Sequence, residues 1–139
     1  MSKNPFPQGK YVPATRFGSM IFTAGMTARK NGVPIFTGRV KAEESLETYK
    51  EAVCQAANNA LVAAQNLLGE GEAIAQILSL SVYINAEDGF TAHSKLADFA
   101  TEYLCGEIGD AGIAARAALG VATLPGNAPV EIQIVCAVR

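Results

Sequence analysis

The pattern of hydrophobic and polar positions begins with short β-type runs. Residues 1–10 hold two of the six prolines and predict an irregular lead-in. The run 19–23 is apolar and β-prone, which predicts a strand. Asn31-Gly32 is a hairpin signal ahead of the run 33–36, whose proline favours an edge position or an interruption. We therefore expect three short strands at the start of the chain.

Two later stretches have a helical pattern. Over residues 43–68, apolar positions recur at steps of three and four, with glutamates at the start and Gly69 suited to the C-terminal cap. Residues 88–104 repeat the pattern, and Gly106 and Gly109 are expected to close this second helix. The sequence thus predicts two long helices.

Alternating patterns surround and follow the second helix. Strands are predicted over 77–84, 115–124 and 130–138, with a proline- and glycine-rich connection over 125–129. The order β-β-β-α-β-α-β-β favours an α+β fold, in which a mixed sheet carries both helices on one face. A length of 139 residues fits one domain, which we expect to span residues 1–139.

Composition excludes several classes of function. The net charge is −2 and the 11 Lys and Arg are scattered, so nucleic acid is not an expected partner. No run approaches the roughly 18 apolar residues of a membrane span, and no signal peptide is visible, so we expect a cytoplasmic protein. The chain is 50% hydrophobic and only 17% charged, which suggests more apolar surface than one small domain can hide.

The cysteines give no indication of a metal or redox centre. Cys54, Cys105 and Cys136 are far apart in sequence and are accompanied by only one histidine. This set cannot assemble a zinc or iron–sulfur site, so we expect no metal and no cofactor. Three reduced, largely buried thiols are favoured over a redox role.

Arg116 is the most conspicuous candidate for chemistry, because no other charge lies within residues 112–121. On a strand it would share its face with Ala118, Gly120 and Ala122, whose small side chains leave space beside the guanidinium. Such a planar fork is suited to bidentate capture of a carboxylate. The alternative is an arginine that pairs with a structural acid or reaches solvent from an edge strand.

Three further residues have side chains that could take part in acid–base chemistry. Glu131 lies on the non-core face of an apolar strand, and beside the Arg116 strand it would form either a buried ion pair or a carboxylate aimed at substrate or water. Tyr11 is a weaker candidate, because a tyrosine near a terminus is most often a packing residue. His93 is expected at a helix surface or boundary and is excluded as catalytic.

Four segments together resemble the reactive intermediate deaminase family (RidA, YjgF-like). They are GKYV at 9–12, GSMIFTAG at 18–25, ARAALGVATLP at 115–125 and PVEI at 129–132. The resemblance runs from about Gly9 to Val138, and its wording is closer to the divergent YjgF-like branch than to the archetypal deaminases.

The resemblance implies a chorismate-mutase-like fold and a homotrimer with a ligand cleft at each subunit interface. Active members hydrolyse enamine or imine intermediates to a keto acid and ammonia, without metal or cofactor. By position, Arg116 matches the arginine that holds the substrate carboxylate, Glu131 the acid that helps place water, and Tyr11 a tyrosine of the cleft. Substrate-binding roles would also fall to Ala24 and Gly25 in the T-x-G turn and to Ala118.

Two positions depart from the archetypal deaminases. Ala24 stands where they carry a serine, and Ala118 stands where they carry a cysteine. The alanine at position 24 removes a hydroxyl that could bind the substrate or relay a proton. The main alternative is therefore a non-catalytic trimer of the same fold that binds a small carboxylate, such as a keto acid, and has a regulatory or interaction role; for the enzyme the partner would be a small carboxylate or imino acid. Older labels for such proteins, endoribonuclease L-PSP and translation inhibitor, are opposed by the acidic charge balance.

Overall fold

The computed structural model describes residues 3–139. Within them lie two helices, α1 (Glu47–Gln65) and α2 (His93–Ile108). The strands are β1 (Ala14–Phe17), β2 (Met20–Thr23), β3 (Met26–Thr27), β4 (Arg29–Lys30), β5 (Val33–Pro34), β6 (Ile74–Asn85), β7 (Ala115–Val121) and β8 (Val130–Val138).

Six of the strands form one mixed sheet. Its order is β1-β2-β8-β6-β7, and β3 also pairs with β8. Strands β6 and β7 are parallel and are joined through α2, whereas the other neighbours are antiparallel. The predicted α+β architecture is confirmed, and its two-helix layer matches the expected chorismate-mutase-like arrangement.

The sheet has a core face and an open face. Along β8 the residues Val130, Ile132, Ile134 and Cys136 are fully buried and pack with residues of both helices, as the alternation predicted. The intervening β8 residues point to the other face, which we call the open face. Residues on the open face include Met20, Phe22, Tyr83, Leu119, Glu131 and Val135.

The opening third of the chain is more strand-rich than predicted. Asn31 and Gly32 have φ of 55° and 78°, so they form the turn of the predicted hairpin between β4 and β5. The sequence analysis missed β1, which pairs with β2 across Gly18, whose φ is 60°. Five short strands therefore replace the three expected.

Both helices begin later than predicted. The amide of Val40 bonds the carbonyl of Asn85 and the amide of Glu87 bonds the carbonyl of Val40, which holds the chain against the end of β6 until α1 begins. Asn66, rather than Gly69, is the C-terminal cap of α1. For α2 the predicted first residues form a turn at Gly89, whose φ is 90°.

The end of α2 confirms the prediction at Gly109 but not at Gly106. Gly109, whose φ is 69°, is the C-terminal cap after Ile108, whereas Gly106 lies inside the helix. An exposed helical glycine is tolerated when the rest of the turn is well packed, and here Leu104 is fully buried.

An ion pair joins β1 to the loop that follows α1. Arg16 donates to both carboxylate oxygens of Glu72, at 2.5 Å and 2.8 Å, and to the carbonyl of Leu67. The amide of Gly69 also donates to Glu72 Oε1. These donors lower the pKa of Glu72 to about 2, with the Arg16 hydrogen bond as the main cause.

Candidate functional site

Glu131 and Gly25 are in close contact on the open face. In the sheet register Glu131 is opposite Thr27 of β3 and Tyr83 of β6. A Cβ added at Gly25 would clash with Glu131 Oε2, so any larger residue would force the carboxylate to move. The glycine thus lets the carboxylate lie directly against the T-x-G turn.

The Glu131 carboxylate is partly buried and unpaired. Among residues 3–139 it forms no ion pair and accepts no hydrogen bond. Burial raises its pKa above the usual value for a glutamic acid. A carboxyl with a raised pKa gives up and takes back a proton closer to neutral pH, which suits general acid–base work.

Tyr11 and Ala24 lie in the same region of the molecule. Tyr11 and Gly25 line one cavity, and the Tyr11 hydroxyl accepts a hydrogen bond from the amide of Gln8 at 2.9 Å. The amide of Ala24 donates to the carbonyl of Pro13, which holds the segment after Tyr11 against the T-x-G turn. The structure therefore groups Tyr11, Ala24, Gly25 and Glu131.

Arg116 is on the core face of β7, where α2 covers the sheet. Its Nη1 donates to Asp98 Oδ1 at 2.9 Å and to Thr101 at 3.0 Å. Its Nη2 donates to the carbonyl and the hydroxyl of Ser94, at 3.1 Å and 2.9 Å. All four terminal N–H groups thus have acceptors on one helix, which is the geometry of the structural-acid alternative.

Arg116 also borders an open hollow of about 470 Å³. Ala118, Gly120 and His93 line the same hollow, so Arg116 does have space beside it, as the small neighbours predicted. His93 is half-buried at the start of α2, with its ring edge-on to Phe90 at 5.0 Å. A Cβ at Gly120 would lie 2.8 Å from His93 Nε2, so the glycine admits the imidazole. Ala122 falls beyond the end of β7.

The two groups of site residues are separated within one chain. Strand β6 lies between β7 and β8, and Arg116 is on the core face whereas Glu131 is on the open face. Arg116 and Glu131 therefore do not pair within one chain, because the predicted pairing required them to lie on neighbouring strands and on the same face.

The residues that hold Arg116 were not predicted from the sequence. Ser94, Asp98 and Thr101 are spaced i, i+4 and i+7, which places them on one face of a helix. That spacing was visible in the sequence, but without the β6–β7 register nothing connected it with Arg116.

The cysteines and the potential metal ligands form no second site among residues 3–139. The three cysteines are free thiols, and burial raises the pKa of Cys136 to about 12. Residues 3–139 contain no cluster of three or more His, Cys, Asp or Glu side chains that could hold a metal ion. In that same range no helix is long and apolar enough to cross a membrane.

The sequence as a whole matches a known family. A family model described as Endoribonuclease L-PSP matches residues 1–138. The chain belongs to the Endoribonuclease L-PSP family. This membership confirms the resemblance to YjgF-like proteins that the motifs around Gly25, Arg116 and Glu131 indicated.

Solved structures share the L-PSP fold. The chain is similar to the protein Atu1372 of Agrobacterium tumefaciens, with 27% identity, a TM-score of 0.83, and 94% of this chain and 82% of that chain covered. It is similar in fold to the YjgF gene product of E. coli, at 23% identity and a TM-score of 0.66, covering 96% and 92%. It is also similar in fold to E. coli TdcF, solved with bound serine, at 20% identity and a TM-score of 0.67, with 96% of this chain and 92% of that chain covered.

Proposed function

We propose that this protein hydrolyses small enamine or imine intermediates that carry a carboxylate, releasing a keto acid and ammonia. The observation that carries the proposal is the Glu131 carboxylate. It is unpaired among the described residues, is held against Gly25, and has a pKa raised by burial. A carboxylate in such surroundings can accept a proton from water and return it.

The chemistry needs positioned water and little else. An enamine tautomerises to the imine, which is protonated on nitrogen, and water then adds to the C=N carbon while Glu131 accepts one proton of the water, giving the neutral carbinolamine. Glu131 donates that proton to the amino nitrogen, the C–N bond breaks as the C–O bond becomes C=O, and the hydroxyl proton leaves with the ammonia as ammonium. Imines hydrolyse slowly in water unaided, so positioning together with acid–base help of about 10²–10⁴-fold is sufficient.

Arg116 is proposed as the carboxylate anchor. Its guanidinium is 18% exposed, whereas its partner Asp98 is 55% exposed and free to turn toward water. A substrate carboxylate that enters the hollow would take the place of Asp98 on the fork. Serine bound to TdcF is consistent with a family cleft for small amino acids and their relatives.

The proposed site requires a second copy of the chain. Arg116 lies on the edge strand β7 and Glu131 lies on the open face, and they do not meet within one chain. We propose that the Arg116 of a neighbouring subunit completes the site at this Glu131. The open face suits such an interface, because Leu119 is 51% exposed and Phe22 is 44% exposed. A closed trimer would bury these apolar side chains.

The direct test generates 2-aminoacrylate in situ with a serine dehydratase and follows the release of ammonia. We expect the wild-type protein to accelerate release, and Arg116→Ala and Glu131→Gln to abolish the acceleration. Lys95→Ala and Glu51→Gln, which change exposed charges outside the proposed site, are the matched controls. Equal rates for wild type and Arg116→Ala would remove the proposal for this substrate.

A carboxylate-binding protein without catalysis is the second candidate. Two observations favour it: the Arg116 fork is fully bonded within the chain, and Ala24 offers no hydroxyl. Saturable calorimetric binding of 2-oxobutyrate, with no turnover across a panel of imino acids, would decide for it.

The family description also raises RNA as a substrate. A net charge of −2 supplies no basic stripe for the phosphate backbone. We therefore expect no RNA cleavage, and no salt-dependent RNA binding in a filter or mobility assay.

A further inference from the structure

We propose that a second cavity, between α1 and the β4–β5 hairpin, binds a small molecule that carries an oxyanion group. The cavity has a volume of about 530 Å³, which lies within the range of small-molecule sites. It shares two lining residues, Tyr11 and Gly25, with the proposed active site, whereas neither Arg116 nor Glu131 lines it.

The charge of the lining indicates an anion. Lys3, Arg29 and Lys30 line the cavity, and none of its lining residues is acidic. The chain as a whole has a net charge of −2, so this concentration of positive charge is local. A concave, low-dielectric wall that carries one sign of charge focuses its field on an incoming counter-ion.

The Arg29 guanidinium has N–H donors that no protein acceptor uses among the described residues. Its side chain is half-buried, and Nη1 donates to the carbonyl of Gly32 at 3.0 Å within the hairpin. No carboxylate among residues 3–139 pairs with this guanidinium, and its other N–H groups have no protein acceptor there. A partly desolvated guanidinium is stabilised by an acceptor anion, and its planar fork fits phosphate and carboxylate equally well.

Side-chain amides complete the cavity. Gln55 and Asn58 line it from α1, and Gln8 lines it from the lead-in. Asn58 Oδ1 accepts from Tyr103 at 2.8 Å, which fixes the amide and leaves its NH₂ group free of that bond. The wall opposite the cations can therefore hydrogen-bond a polar, uncharged part of the same ligand.

The test uses two probes, inorganic phosphate and malonate, titrated into the protein and followed by backbone amide NMR and calorimetry. We expect saturable binding of at least one probe, with shifts at the amides of Arg29, Gly32 and Asn58. Binding of phosphate alone indicates a phosphate ester as the ligand class, and binding of malonate alone indicates a carboxylate. Both outcomes support the proposal.

Variants separate this cavity from the proposed active site. Arg29→Gln should weaken binding about tenfold, because one charge-assisted contact is lost. Lys30→Gln, which changes an exposed residue, should weaken it severalfold and covers the case in which Arg29→Gln disturbs the hairpin. Lys95→Gln should bind like wild type, and the shifts at Arg29, Gly32 and Asn58 should persist in Arg116→Ala, which removes the carboxylate anchor of the proposed active site. The proposal is overturned if neither probe saturates, if both cavity variants bind like wild type, or if the shifts at Arg29, Gly32 and Asn58 are absent.

Discussion

Glu131, the proposed acid–base residue, is a carboxyl whose burial opposes folding. Its pKa is raised by burial, so the folded chain binds the Glu131 proton more tightly than the unfolded chain does. The contribution of Glu131 to stability is therefore most favourable below the pKa of the unfolded residue and declines as the pH rises through the folded pKa. At neutral pH the buried charge opposes folding.

Glu131→Gln should thus separate activity from stability. We expect a higher midpoint of urea unfolding at neutral pH, where the charge is removed, and no difference at about pH 4 or below, where the carboxyl is protonated. Ammonia release should fall by about 10²–10⁴-fold. Glu51→Gln, an exposed change on α1, is the control. A lower urea midpoint for Glu131→Gln at neutral pH would show that the charge is solvated or paired.

Asp98 competes with any carboxylate for Arg116. The ion pair is 2.9 Å long and largely exposed on the Asp98 side, so it contributes little to stability. Asp98→Asn should tighten the binding of 2-oxobutyrate about two- to fivefold by calorimetry, because the fork loses its charged partner. Asp110→Asn, far from the fork in sequence and exposed, is the control. Weaker binding by Asp98→Asn would show that Asp98 orients Arg116 for the ligand.

At the scale of elements, glycines 106 and 112 share a residue type but differ in their surroundings. Gly106 lies within α2, and a Cβ there would meet nothing within 4 Å. A Cβ at Gly112 would lie 2.8 Å from the backbone of Leu104 and Cys105, which cannot move aside without breaking the end of α2.

The two alanine variants should therefore have opposite effects. Gly106→Ala should raise the free energy of unfolding by about 1 kcal/mol, through helix propensity alone. Gly112→Ala should lower it by about 1–3 kcal/mol, the usual penalty for overpacking. Urea unfolding of both variants in one buffer checks the pair. An unchanged free energy of unfolding for Gly112→Ala would mean that the turn after α2 moves aside without cost.

The Arg16–Glu72 pair links β1 to the loop after α1 and makes that link pH-dependent. The folded pKa of Glu72, about 2, is below its unfolded value, so the stabilisation is present above the unfolded pKa and is lost as the pH falls toward about 2. Glu72→Gln should lower the melting temperature at neutral pH, and the difference should vanish near pH 2. Glu70→Gln, exposed in the same loop, should have no effect at either pH.

Elements with a strong period were predictable from the sequence. Strand β8 was predicted to the residue, because its apolar positions alternate without a break, and both helices were found with shifted ends. Strands β1 and β3 were missed, since each is held by its partner rather than by its own pattern. The site was predicted as a set of residues, but its division between two sheet faces depended on β6 lying between β7 and β8. No local pattern encodes that order.

At the scale of the whole molecule, part of the apolar, charge-poor composition lies on an exposed face of the sheet. The core face of the sheet is filled by the helices, yet Phe17, Met20, Phe22 and Leu119 remain exposed on the open face side. An exposed apolar sheet face of this kind marks an association surface. The homotrimer we propose would cover it, and would also join the two halves of the site.

Mixing two inactive variants tests the shared site without altering the interface. Arg116→Ala keeps Glu131, and Glu131→Gln keeps Arg116, so a mixed trimer contains some interfaces with both native side chains. If one Arg116 and one Glu131 from neighbouring subunits form each site, unfolding and refolding the two variants together at equal amounts should restore about a quarter of the wild-type rate. Either variant refolded alone should stay inactive, and light scattering should report three chains per particle throughout. Failure of the mixture to recover activity, with trimers formed, would place both residues in the site of a single chain or remove one of them from it.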